Sequence, residues 1–213
     1  MAKIEPFDKH TSEYEAWFEN NRFVYESELK AIKGQLPKKG EGIEVGVGSG
    51  RFAAPLGIRI GVDPSNKMRE LTQNRGVVAI GGVAEKLPFD DGRFHFVLMV
   101  TTICFLYDIK AAFKEAFRVL KQGGNLIIGF IDKDSPVGIL YQQQKNDSEF
   151  YKVATFYSAD EVISYLKKAG FINLMFTQTI FHHPSEIKNL EPIKKGHGEG
   201  SFVVAKALKV KAT

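Results

Sequence analysis

The chain has 213 residues, 44% of them hydrophobic and 25% charged, with a formal net charge of +4. That is enough apolar material for one α/β domain with a full core, or one domain with a small cap. No apolar run reaches the roughly 18 residues of a spanning helix, and no block of Lys and Arg is dense enough for a nucleic-acid surface, so a membrane span and a nucleic-acid partner are not expected.

The opening "MAKIEPFDKHTSEYEAWF" lacks an apolar signal core, so it does not read as a secretory peptide. Residues 11–36 read as one helix, because Tyr14, Trp17, Phe18, Tyr25, Leu29, Ile32 and Leu36 fall near a 3.6-residue period. Pro37 and "KKGEG" end it. "GIEVGVG" is a buried strand running into a glycine turn. "IRIGVD" is a second strand, and a helix from Pro64 to about Asn74 follows it, with proline in the first turn. "GVVAIGG" is a third strand, and "KLPFDDGRF" a loop with a turn at Asp91-Gly92. "FHFVLMVTTICF" is nearly all apolar, as a central parallel strand should be. "IKAAFKEAFRVLK" is an amphipathic helix stopped by Gly123-Gly124, and "NLIIGFID" is a fifth strand.

Residues 134–157 carry the least regular pattern and read as a cap or lid. "SADEVISYLKKAG" is a helix with Ser158 as N-cap and Glu161 three places on. "FINLMFTQTI" and "SFVVAKAL" are two late strands with no helix between them. Alternating strands and helices imply parallel strands with right-handed crossovers, and two successive strands imply an antiparallel pair at one edge. Residues 1–213 therefore read as a single domain, of which 1–36 is an N-terminal helical segment. The lone cysteine, Cys104, cannot form an internal disulfide, which suits a reducing cytoplasm.

The stretch "IEVGVGSGRF" holds glycines at 46, 48 and 50, with Glu44 two places before the first. In an open α/β sheet the ligand lies beyond the carboxyl ends of the strands, where this loop would be. Gly46 and Gly48 permit a tight turn and close approach of a ligand to the backbone. Asp63 closes the second strand 19 residues after Glu44, a spacing that suits a carboxylate on ribose hydroxyls. Arg51 stands where the G-x-G-x-x-G fingerprint puts its last small residue, and there is no G-x-x-x-x-G-K-[ST]. A nucleoside ligand without phosphates fits better than a dinucleotide.

On "IEVGVGSGRF", "IGVDPSNKM", "GGVAEKLPFDDGRFHFVLMV" and "VLKQGGNLII", the sequence resembles the class I S-adenosylmethionine-dependent methyltransferases. It is most similar to their small-molecule group, related to ubiquinone- and menaquinone-pathway enzymes. The resemblance covers residues 40–131 strongly and implies a Rossmann-like sheet of order 3-2-1-4-5-7-6, mostly parallel with one antiparallel edge strand. It implies S-adenosylmethionine as methyl donor, S-adenosylhomocysteine as product and a small-molecule acceptor.

Residue by residue, the resemblance implies that Glu44 and the backbone of Gly46, Val47, Gly48 and Gly50 face the methionine part of the cofactor. Asp63 would accept the ribose hydroxyls, Pro64 and Ser65 would lie beside the adenine, and Ala84 and Glu85 at its edge. Thr101 and Thr102 would lie near the sulfonium and the substrate entrance. Val83 stands where the family often has an Asp that meets the adenine amino group.

Trp17 and Phe18 line a substrate pocket or anchor their helix. Cys104 reads as an inert buried thiol, since Ile103 stands where cytosine-methylating enzymes need Pro. "TTICF" lacks the (N/D)PP(Y/F) motif of base-amino methylation. No Cys or carboxylate stands at ligand spacing from His182, His183 or His197, so no metal site is expected. No general base stands out. That leaves a non-catalytic S-adenosylmethionine-binding protein and an NAD(P)-dependent oxidoreductase as alternatives.

Overall fold

The computed structural model describes residues 3–210; positions 1–2 and 211–213 of the expected domain lie outside the described residues. Five strands form the parallel part of the sheet: β1 (Gly42–Val45), β2 (Ile60–Asp63), β3 (Val78–Gly81), β4 (Phe94–Val100) and β5 (Leu120–Ile131). β8 (Phe202–Lys209) runs antiparallel between β5 and β6 (Phe171–Thr179), and the two-residue β7 (Lys194–Lys195) pairs outside β6. The order is β3-β2-β1-β4-β5-β8-β6-β7. Apart from β7, which is too short to leave a pattern in sequence, this is the expected 3-2-1-4-5-7-6 arrangement.

Side-chain alternation divides the sheet between two apolar layers. Phe94, Val97 and Met99 of β4 and Leu126 and Ile128 of β5 pack on one face. There they meet Ile109, Ala112, Phe113 and Ala116 of α6 (Ile109–Val119) and Val162 and Leu166 of α8 (Ala159–Lys168). Phe96, Leu98 and Val100 of β4 and Ile127 of β5 pack on the other, against Val24, Ala31 and Ile32 of α3 (Arg22–Gln35). Cover on both faces is why β4 is apolar at every position but the exposed His95. α8 begins with a full capping box, Ser158 Oγ accepting from the Glu161 amide at 3.2 Å and Glu161 Oε2 from the Ser158 amide at 2.8 Å.

Several boundaries differ from the sequence reading. The expected helix over 11–36 is two, α2 (Thr11–Asn20) and α3, parted at Asn21 with φ −116° and ψ 40°. The Asn21 side-chain amide donates to the Trp17 carbonyl at 3.0 Å, a local bond that competes with helix continuation. A short α1 (Glu5–Lys9) precedes them. α5 (Asn66–Asn74) starts two residues after Pro64, because Ser65 Oγ caps it by accepting from the Met68 amide at 3.1 Å.

Gly123 and Gly124 do not stop α6. The chain passes from α6 straight into β5, where Gly123 takes φ +76° and the β4 register shifts between Phe94 and Phe96. Residues 134–157 are not patternless: they hold α7 (Pro136–Gln143) and 3-10 turns at Lys145–Asp147 and Tyr151–Val153. Among the described residues no helix is long and apolar enough to cross a membrane.

Candidate functional site

A cavity of about 370 Å³ lies at the carboxyl ends of the central strands, within the ~300–1,000 Å³ usual for small-molecule sites. Gly46 and Gly48 after β1, Asp63 and Pro64 at the end of β2, and Thr101 and Thr102 after β4 line it. Strand geometry puts them together: these parallel strands end on one side of the sheet.

The glycine loop is tied to the end of β2. The amides of Gly46 and Val47 donate to the Val62 carbonyl at 2.8 and 3.0 Å. The Gly48 amide donates to Asp63 Oδ2 and the Ser65 amide to Asp63 Oδ1, each at 2.9 Å. The carboxylate is thereby fixed in orientation, with one donor on each oxygen and acceptor capacity left on both. Burial raises the Asp63 carboxyl above the ordinary range, against the pull of those two amides and of Arg69.

Both glycines are bare for a second reason. A Cβ on Gly46, where φ is +71°, would lie 2.5 Å from Thr102 Oγ1; on Gly48, at φ +54°, it would lie 2.8 Å from the Tyr14 hydroxyl. Thr102 Oγ1 reaches the Val100 and Val45 carbonyls at 3.0 and 3.2 Å, which ties the end of β4 to the loop. Thr101 holds φ +48°, a left-handed conformation costly for a β-branched residue. That strain stands at the cavity wall.

Ala84, Glu85, Trp17 and Phe18 also line the cavity. Glu85 Oε1 is engaged by the amides of Tyr107 and Asp108 at 2.8 and 3.2 Å. Val83 lines the cavity too and offers no side-chain acceptor there.

The structure does not bring Glu44, Val47 or Gly50 to the cavity. Glu44 is fixed by strand register between Gly61 of β2 and Leu98 of β4. It is 1% exposed, its Oε2 has no partner, and burial holds its carboxyl well above the ordinary range. Val47 turns into the layer with Phe52 and Ile58. A Cβ on Gly50 would meet Thr72 at 3.3 Å.

The N-terminal helices cross the glycine loop. Arg51 donates from Nε and Nη2 to Glu15 Oε2 at 3.1 and 2.8 Å and from Nη1 to Glu19 Oε1 at 2.8 Å. Arg75 bonds the same Glu15 oxygen at 2.5 Å and the Ser49 carbonyl at 2.7 Å. The residue that departs from a dinucleotide fingerprint thus anchors α2. From α1, the Phe7 ring centroid lies 5.7 Å from Tyr14, 4.9 Å from Phe105 and 5.5 Å from Phe150. Phe150 belongs to segment 134–157, so the two segments meet over the cavity.

Sequence reasoning missed Glu28, Tyr141 and Tyr151, which also line it. Glu28 is 3% exposed, with no hydrogen-bond or ion-pair partner among the described residues, and burial pushes its carboxyl up to about 8. The signal was present: Glu28 shares the buried stripe of α3 with Val24, Ser27, Ala31 and Ile32, where an acid is out of place. The Cys104 thiol lines the cavity as well; burial pushes it up to about 12, so it stays un-ionised, as an inert thiol should. Among the described residues no group of three or more His, Cys, Asp and Glu is placed to hold a metal ion.

A five-stranded parallel centre with an antiparallel edge, a glycine loop after β1 and an acid closing β2 define a nucleoside-cofactor enzyme of the Rossmann-like methyltransferase class. The family pattern described as "Methyltransferase domain" matches residues 43–128. A crystal structure from Thermotoga maritima, described as "SAM-dependent methyltransferase, possible histamine N-methyltransferase", is 50% identical with a TM-score of 0.94, covering 96% of this chain and 98% of that one. An uncharacterized protein of Methanocaldococcus jannaschii is 47% identical over 96% of this chain and 98% of its own length. The malonyl-[acyl-carrier protein] O-methyltransferase of Geobacter sulfurreducens is 26% identical over 95% of this chain and 83% of its own.

The chain belongs to the S-adenosylmethionine-dependent methyltransferases, and S-adenosylmethionine is its methyl donor. This displaces the oxidoreductase and non-catalytic alternatives.

Proposed function

We propose that the cavity holds S-adenosylmethionine against Asp63 and the Gly46–Gly48 backbone, and that the methyl group passes to a small molecule entering beside Trp17 and Phe18. The observation that carries this is the Asp63 carboxylate, set at the cavity wall by the Gly48 and Ser65 amides with acceptor capacity left on both oxygens. Two vicinal hydroxyls suit that donor-hungry pair. Pro64 and Ala84 give the base an apolar seat, Glu85 and Val83 flank it, and Thr101 faces the reacting end.

The cofactor supplies a methyl group on an already activated sulfonium leaving group. The chain's share is alignment and exclusion of water. Tyr14, Phe7 and Phe150 close over the cavity from both segments, so 1–36 and 134–157 act together as its lid.

The names of relatives range from an O- to an N-methyltransferase and do not select the acceptor atom. A small acceptor is supported by the enclosure of the cavity. The absence of a dense basic block supports no nucleic-acid partner, and the single cysteine supports a cytoplasmic setting.

Calorimetry with S-adenosylhomocysteine and with NAD tests the reading. The former should bind and raise the melting temperature by mass action, and Asp63→Ala should weaken it, while NAD should not bind. No binding of S-adenosylhomocysteine at millimolar concentration would overturn the assignment of this cavity.

A further inference from the structure

The cavity has two ends. Asp63, Pro64 and Ala84 lie beyond β2 and β3, while Ile131 at the end of β5 and Tyr141 of α7 lie beyond β5. α3 packs against β5, β6 and β8, so Glu28 enters from the β5 side, away from the end assigned to the nucleoside. Near it stand Tyr141 and Tyr151, whose rings stack with centroids 4.5 Å apart, and both phenols feel its charge. Glu28 is nine-tenths and more buried, is part of the cavity wall and is unpaired among the described residues.

An unpaired buried carboxyl is costly, and Glu28, unlike Glu44, stands in a cavity wall where a ligand can complete it. A cationic nitrogen is the complement that both features of this end share: carboxylate charge and aromatic faces each attract it.

We propose that Glu28 binds the methyl acceptor, that the acceptor is an amine, and that Glu28 takes the proton which frees the nitrogen lone pair. This rests on reading the cavity as the methyl-transfer site. An ammonium N–H bond breaks, its electron pair stays on nitrogen, and the proton passes to the Glu28 carboxylate. The neutral nitrogen then forms the new N–C bond to the methyl carbon as the C–S bond breaks. That electron pair goes to sulfur, leaving neutral S-adenosylhomocysteine and an N-methylammonium product. Glu28 keeps that proton when the product leaves and gives it to solvent when the next ammonium binds.

The test is calorimetry on the intact chain saturated with S-adenosylhomocysteine. The probes are benzylamine and phenethylamine, each against its alcohol, benzyl or phenethyl alcohol. In the wild type at least one amine should bind about tenfold or more tightly than its alcohol. Glu28→Gln should abolish that preference while leaving S-adenosylhomocysteine affinity unchanged, which also shows that the variant folds.

At pH 6.5, below the value near 8 to which burial raises Glu28, an ammonium that pairs with it displaces its proton. Titrations in buffers of different ionisation enthalpy should therefore show about one proton released per amine in the wild type and none in Glu28→Gln. The titratable groups facing Glu28, Tyr141 and Tyr151, stay protonated there, because burial raises both. Equal binding of amines and alcohols in the wild type, or a preference that survives Glu28→Gln, overturns the proposal while the cofactor site stands. Failure of S-adenosylhomocysteine to bind the wild type would bring down the reading of the cavity and this proposal with it.

Discussion

The Tyr14 hydroxyl stands 2.8 Å from the point that a Cβ on Gly48 would occupy, and the next atom of the ring is 3.6 Å away. One glycine thus serves both the loop and the helix that crosses it. Gly48→Ala should strain the backbone at φ +54° by about 1 kcal/mol and push Tyr14 off the loop. S-adenosylhomocysteine affinity should fall about tenfold or more in calorimetry. Adding Tyr14→Phe removes the clashing oxygen and should recover part of the loss. No recovery would mean that the backbone conformation alone matters.

Asp63→Asn leaves a carbonyl for one of the Gly48 and Ser65 amides but turns an NH2 toward the other. Charge-assisted bonds of this kind are worth roughly 1.5–3 kcal/mol each, so affinity should drop about ten- to a hundredfold. The circular-dichroism melt should move little. An affinity equal to wild type would leave Asp63 with only its structural bonds to those two amides.

Arg51→Ala removes both ion pairs that fasten α2 to the glycine loop. Glu15 keeps Arg75, so the loss should be on the order of 1 kcal/mol rather than the larger cost of an orphaned buried charge. Hydrogen exchange should speed up at amides 11–20 and stay unchanged in β4 and β5. Uniform change across the sheet would show that the pairs hold the whole fold.

Trp17 is the chain's single tryptophan, and it lines the cavity with its ring centroid 5.3 Å from that of Phe18. Its fluorescence should change saturably as S-adenosylhomocysteine is added, with the midpoint found by calorimetry. Trp17→Leu should keep cofactor affinity within about threefold and lose more in kcat/KM. A flat titration together with full activity of the variant would make Trp17 a helix anchor.

Burial raises Glu28 from an ordinary 4.5 to about 8. A carboxyl raised on folding contributes stability that is present below its unfolded value and lost as pH climbs through the folded one. Urea unfolding of the ligand-free protein should therefore weaken between pH 4.5 and 8, the Glu28 part reaching at most about 1.4 kcal/mol per pH unit. Glu28→Gln should flatten that part of the profile. A wild-type profile identical to that of Glu28→Gln would show that Glu28 ionises normally in the fold.

Legibility in sequence followed the range of the interaction. The Ser158–Glu161 cap was readable because both partners lie within one helical turn. The parallel strands and the antiparallel edge were readable because alternation of strands and helices limits topology to few choices, while the strand order came with the family resemblance. Asp63, Gly46 and Gly48 were readable because a strand end and its loop form one local unit. The break at Asn21 and the passage of α6 into β5 were not, since a side-chain bond and a register shift decide them where the apolar period stays favourable. Glu44 stood in the motif yet belongs to the strand interior, because its direction is set by pairing on both sides with residues far along the chain.

The sequence by itself determined the fold class and, through the family that its motifs resemble, the methyl donor, and it picked out Gly46, Gly48, Asp63 and Pro64 of the cavity wall, since a strand end and its loop are short stretches with fixed backbone demands. The tertiary structure alone decided which side chains from distant elements complete the cavity wall. Tyr14 from α2, Glu28 from α3, Tyr141 from α7 and Tyr151 from the turn after it come together only when the sheet sets their elements around one cavity, and no spacing along the chain encodes that meeting.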